Sequence, residues 1–208
     1  MSRPLLAALS TILLAGCSVI GVRSGTEEPR YRVVDHVGDI EIREYGPRIA
    51  AETTIDADET AARSVGFRRL ASYIFGANKG NAKIAMTAPV SQSPTTIAMT
   101  APVSQSRDSA GRWVIRFYMP ADSTMATLPT PNDFSVRLIE VAPETMGVLR
   151  FTGFAGAEAV AERRQALLAS LRDGTWSPNG TPTTWFYDPP WTLPFLRRNE
   201  VAVPVSRR

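Results

Sequence analysis

The hydrophobic periodicity of this chain switches from two residues to about 3.6 and back, twice, and this alternation restricts the fold more than any single motif. Tyr31-Arg32-Val33-Val34, Ile40 to Tyr45 and Ile49 to Ile55 read as strands, with breaks at Gly38-Asp39 and Gly46-Pro47. Residues 57–75 read as a helix, capped by Asp56 or Asp58, with Glu59 at its positive end. Phe67, Leu70, Ala71 and Ile74 recur at i, i+3, i+4 and i+7 and make one apolar face. Gly66, inside that helix, costs about 1 kcal/mol against Ala, which suits a close approach by a strand or a ligand. Strands return at Trp113 to Met119, Phe134 to Val141 and Gly147 to Phe154. A second helix follows over 157–172, with Val160, Leu167, Leu168 and Leu171 on one face and Gly174 as its stop. Thr183 to Tyr187 and Glu200 to Val205 are the last strands. Strands, helix, strands, taken twice, predict one α+β domain whose single antiparallel sheet has two similar halves, each with a helix.

An identical decapeptide occurs twice. Ile84-Ala-Met-Thr-Ala-Pro-Val-Ser-Gln-Ser93 recurs as Ile97 to Ser106, a period of 13 residues, with Pro94-Thr95-Thr96 between the copies. A solenoid needs at least three copies, so two strands joined by a turn are expected. Pro89 and Pro102 donate no ladder hydrogen bond, which predicts a strand edge or a bulge for each.

The N-terminus reads as an export signal. Arg3 precedes an apolar run from Leu5 to Leu14, shorter than the roughly 20 residues a bilayer span requires. The run ends in Leu14-Ala15-Gly16-Cys17, the pattern of a lipoprotein signal: small residues for the peptidase cleft, then a thiol that takes diacylglycerol. Residues 1–16 are the expected leader. Cys17 is the expected lipid anchor to a membrane, 17–29 the polar tether, and 30–206 the folded domain. In a Gram-negative cell, Ser18 after the cysteine favours the periplasmic face of the outer membrane. Cys17 is the only cysteine, so the core holds the fold without disulfides.

Charge and residue inventory exclude several functions. Removing the leader leaves 22 Lys+Arg against 20 Asp+Glu, too even and too scattered for a nucleic-acid partner. A Cys–His dyad is not available, and a histidine-based triad could use only His36, the sole histidine. No HExxH, CxxC or P-loop spacing occurs. The residues therefore give no enzyme signature. Imidazole and thioether are metal-ligand groups; a turn position for His36 and core packing for the methionines are the expected roles.

Three segments carry a family resemblance. Val37-Gly-Asp-Ile-Glu-Ile-Arg-Glu-Tyr-Gly-Pro47, the doubled Ile-Ala-Met-Thr-Ala-Pro-Val, and Tyr187-Asp-Pro-Pro-Trp-Thr-Leu-Pro-Phe-Leu-Arg-Arg-Asn-Glu-Val201 stand in the order and spacing of the SOUL haem-binding family. The chain resembles that family over roughly 30–205. The resemblance implies a pseudo-twofold distorted barrel flanked by two helices. It also implies haem or another tetrapyrrole as ligand, held in a shallow apolar groove between the first helix and the loop before the last strand. In this chain those walls are Phe67, Leu70, Ala71 and Ile74 on one side, and Trp191 to Phe195, including Pro194, on the other. Some members place a histidine where this chain has Glu44. Basic residues credited with propionate contact fall at Ser64 and Thr192, which leaves Arg63, Arg68 or Arg197 as the expected substitute, with Arg63 named among the site residues.

Overall fold

A computed structural model describes residues 26–94, 112–189 and 191–208. In chain order the elements are β1 (Tyr31–Val37), β2 (Ile40–Tyr45), β3 (Arg48–Asp56), α1 (Glu59–Ile74), β4 (Val90–Pro94), β5 (Arg112–Tyr118) and β6 (Arg137–Val141). Then come β7 (Glu144–Phe151), α2 (Ala157–Ser170), β8 (Trp176–Pro178), β9 (Thr183–Phe186), a short 3-10 turn (Pro194–Leu196) and β10 (Asn199–Arg207). One ten-stranded sheet runs β1-β2-β7-β10-β9-β4-β5-β3-β6, with β8 added beside β10, and its pairings are antiparallel. The single α+β domain expected from the sequence is present. Its sheet is not closed, because among the described residues β1 pairs only with β2 and β6 only with β3.

Both helices cover the same face. Ile115, Gln92, Thr184 and Val201 are directly paired neighbours across β5, β4, β9 and β10, so their side chains share one side of the sheet. Helix α1 lies on that side over Ile115, and α2 packs with Val201, Val203 and Val205. Asp58 is the N-cap of α1, accepting from the Thr60 and Ala61 amides at 3.0 and 2.9 Å. A Cβ on Gly66 would stand 2.4 Å from Ile115 Cγ1. The close approach anticipated at Gly66 is therefore to a strand, and it lets the helix settle onto β5.

The repeat is used differently from the expectation. In the first copy only Val90 onward is strand, and β4 is an interior strand between β9 and β5. Pro89, which follows a cis peptide bond, avoids the ladder by standing just before the strand. The second copy, Ile97 to Ser106, lies outside the described residues, as do residues 1–25 with Cys17.

The opposite face carries a polar interior. Glu200 on β10 is fully buried and accepts from Arg43 Nη1 and Nη2 at 2.8 and 3.1 Å, Arg198 Nε at 3.0 Å and the Tyr187 hydroxyl at 2.7 Å. Arg198 also reaches Glu28 at 3.1 Å, tying the N-terminal segment to β10. Burial alone would raise the Glu200 carboxyl, but Arg43 and Arg198 hold it below its ordinary value. Burial would likewise depress Arg43, and Glu200 and Tyr45 keep it above normal. Burial raises the Tyr187 phenol, and neighbouring Glu200 raises it further. Around this network pack Tyr45, Met146, Val148, Trp185 and Ala202.

Candidate functional site

An apolar stripe on a helix serves either to attach the helix or to bind something else, and in α1 it attaches the helix. Leu70, Ala71 and Ile74 are buried with Ala51, Ile115 and Phe117. These three expected groove residues are core, and this corrects their placement on an open wall. Burying a side chain such as Leu70 or Ile74 contributes roughly 1.5–3 kcal/mol to holding α1 on the sheet. Phe67 sits at the margin of the stripe. It is partly exposed and meets Phe117 edge-on, with ring centroids 5.3 Å apart.

Arg63 lies one turn before Phe67. Its guanidinium covers the Phe186 ring at 4.4 Å, and its Nη1 donates to the Ala155 carbonyl at 3.0 Å. That second contact brings the loop after β7 against α1. Gly153 has φ +101, a backbone geometry open to glycine and strained for other residues, and its amide donates to the Pro194 carbonyl at 3.0 Å. Asn199 Nδ2 donates to the Gly153 carbonyl at 3.1 Å, so the loop before β10 is fastened to the same place. Arg197 covers the Phe154 ring at 5.1 Å, and its Nε donates to the Thr192 carbonyl at 2.7 Å.

The result is a patch of exposed apolar side chains around two cations. Phe154 is 69% exposed, Trp191 63% and Phe195 68%, with Leu193 and Leu196 partly open beside them. Burial depresses the Arg63 guanidinium; Glu59 offsets part of this, and the charge of Arg197 adds to the depression. The charge of Arg197 is thus felt at Arg63. Of the expected site residues, Arg63, Phe67, Trp191 and Pro194 stand at or beside this surface. The sequence reading missed Phe154, which it placed at the end of a strand; β7 stops at Phe151. The signal available was the glycine at 153 directly before an aromatic residue.

The positions at which the chain departs from the family pattern are occupied locally. Glu44 pairs with Arg32 at 2.6 Å, Ser64 Oγ donates to the Thr60 carbonyl at 3.1 Å, and Thr192 is buried. His36 is exposed near the β1–β2 turn. Met119 and Met146 are core residues, but Met86 and Met125 are exposed, which corrects the expectation of core packing for those two.

Comparison with known proteins agrees with this architecture. A profile of the SOUL heme-binding protein family matches residues 26–204. Heme-binding protein 2 of Homo sapiens is 33% identical over 166 residues, covering 79% of this chain and 77% of the human protein. Heme-binding protein 2 of Mus musculus is 29% identical over 164 residues, covering 74% of this chain and 76% of the mouse protein. The crystal structure of the EcmrR C-terminal domain superposes with a TM-score of 0.60 at 12% identity, covering 86% of this chain and 99% of that one, a likeness of fold alone. With the profile spanning the described domain and a relative at this identity, the chain belongs to the SOUL heme-binding protein family.

Proposed function

We propose that this protein binds haem or another tetrapyrrole on the apolar patch formed by Phe154, Trp191, Phe195 and the outer edge of α1. The observation that carries this reading is the group of exposed Phe154, Trp191 and Phe195 side chains with Arg197 over the Phe154 ring and Arg63 over the half-buried Phe186 ring nearby. A tetrapyrrole with propionates presents the complementary chemistry: a flat apolar body for the rings and carboxylates for the cations. Apolar burial at about 25 cal/mol per Å² supplies attraction without an iron ligand. The patch holds no histidine, so the metal-free ring should bind about as well as haem. The reading is of a binding protein, not an enzyme. It places the protein at the cell envelope, held by lipid on Cys17 with the domain on a short tether. That placement rests on the sequence of residues 1–29.

An absorbance titration tests the proposal. Haemin and metal-free protoporphyrin should each give a saturable, shifted Soret band at one equivalent, unchanged by His36→Ala. Arg63→Ala and Arg197→Ala should each weaken binding by about tenfold, the equivalent of one charge-assisted hydrogen bond. Loss of the band in His36→Ala would move the site to that histidine. No saturable change with either ring would end the tetrapyrrole reading and assign the patch to a different apolar ligand or a protein partner.

A further inference from the structure

On the face of the sheet away from the helices, a cavity of about 10 Å³ lies between Tyr45, Arg48, Tyr118, Trp185, Tyr187 and Glu28. That volume admits about one atom the size of a water molecule. Arg48 enters it from the start of β3. Its guanidinium carbon lies 4.5 Å from the Tyr45 ring centroid and 4.9 Å from that of Tyr118. Its Nη2 is committed to Glu144 at the rim. Arg48 Nε and Nη1 are buried and have no hydrogen-bond partner among the described residues, and the same holds for Trp185 Nε1. The Arg48 side chain is 9% exposed and Trp185 is 1% exposed.

The three unmatched atoms are all N–H donors. Folded proteins rarely leave buried donors without an acceptor, so the complement of this cavity is an acceptor with nothing to donate. A water molecule fits such a place poorly, because its own two protons also need partners. Tyr45 Oη accepts from Arg43 Nη1 at 3.4 Å, the Tyr187 hydroxyl is turned to Glu200 at 2.7 Å, and the Glu28 carboxylate to Arg198 at 3.1 Å.

We propose that this cavity is an anion site for a single halide-sized ion, held by Arg48 Nε and Nη1 and by the Trp185 indole N–H. The outer wall of the cavity includes Glu28, Pro29 and Tyr31. An ion there therefore clamps the N-terminal segment, which leads back to the tether, against β3 and β9. The site is on the opposite sheet face from Arg63 and Arg197 and does not depend on the tetrapyrrole reading.

The test is crystallographic and thermal. Crystals of the full chain grown in bromide should show an anomalous scattering peak within hydrogen-bond distance of Arg48 Nε and Trp185 Nε1. In solution, replacing gluconate by chloride or bromide at constant ionic strength should raise Tm by roughly 3–6 °C once the halide is about tenfold above its Kd. Arg48→Met should abolish that rise. Trp185→Phe, which keeps Arg48 and its pairing to Glu144, should reduce it and serves if Arg48→Met does not fold. A water at this position in bromide-grown crystals overturns the proposal. A bromide peak without a Tm response is an adventitious ion only and overturns it equally, as does a Tm response that survives both substitutions.

Discussion

At Glu200 two guanidiniums and a phenol hydroxyl converge on one fully buried carboxylate. Such a pair is sensitive to loss of either partner, because what remains is a buried, uncompensated charge. Glu200→Gln leaves Arg43 only its ion pair with the half-exposed Glu41, and Arg198 only that with Glu28, and should cost about 3 kcal/mol in urea unfolding at neutral pH. The pH dependence has a definite sign. The folded-state pKa of Glu200 is depressed below its ordinary 4.5, so its contribution is fully present above that value and is lost as pH falls through the folded value. The stability gap between the native protein and Glu200→Gln should therefore hold steady from pH 7 to about pH 5 and narrow below 4.5. A gap that stayed constant down to pH 3 would contradict an ionised Glu200. The sequence concealed this network. Arg43 and Glu200 occupy polar positions in strands that look half-solvated, and only the packing of both sheet faces turns them inward. Gly66 was more legible, since a glycine inside a helix announces a close approach. Which partner approaches was settled by the Ile115 side chain.

At the scale of the element, the strands and both helices were readable from periodicity, with ends displaced by a few residues where apolar loop residues extend a pattern. Phe134 and Phe154 look like strand residues, yet one is fully exposed before β6 and the other lies beyond β7. The three-residue β8 is too short to show a period. The repeat bears on β4. Its connection to β5 spans 17 residues, 95–111, whereas deleting residues 94–106 would leave five, 107–111, after an unchanged Val-Ser-Gln-Ser. Five residues are an ordinary hairpin length. The shorter loop closes more favourably by about 1 kcal/mol. The deletion should therefore fold, with far-UV circular dichroism unchanged and Tm equal or a few degrees higher. An unfolded product would mean that the fold requires the second copy.

For the whole molecule, both helices cover one face of an open sheet while the other face keeps its own polar and aromatic interior. The exposed aromatic patch lies where loops from two distant parts of the chain meet α1. The proposed anchor places that surface at a membrane. A mature lipoprotein holds by several acyl chains, and removing the acceptor thiol removes them all. Cys17→Ser should abolish labelling by radioactive palmitate in a Gram-negative host. Labelling that survives in the variant would refute lipidation at Cys17.

The sequence by itself determined the class of fold, the number and order of the main elements, and the family, because these rest on local periodicity and contiguous motifs. Through the family resemblance it also named Arg63, Phe67, Trp191 and Pro194 as expected contacts of the proposed ligand. Tertiary structure alone decided that Leu70, Ala71 and Ile74 are core, since a helical stripe looks the same from sequence whether a sheet or a ligand covers it. It also decided that β4 is interior, that the loops carrying Phe154 and Pro194 meet beside α1, and that the Arg43, Arg48 and Glu200 side chains are buried. Those facts depend on which distant strands become neighbours, and a period of two residues does not encode neighbours.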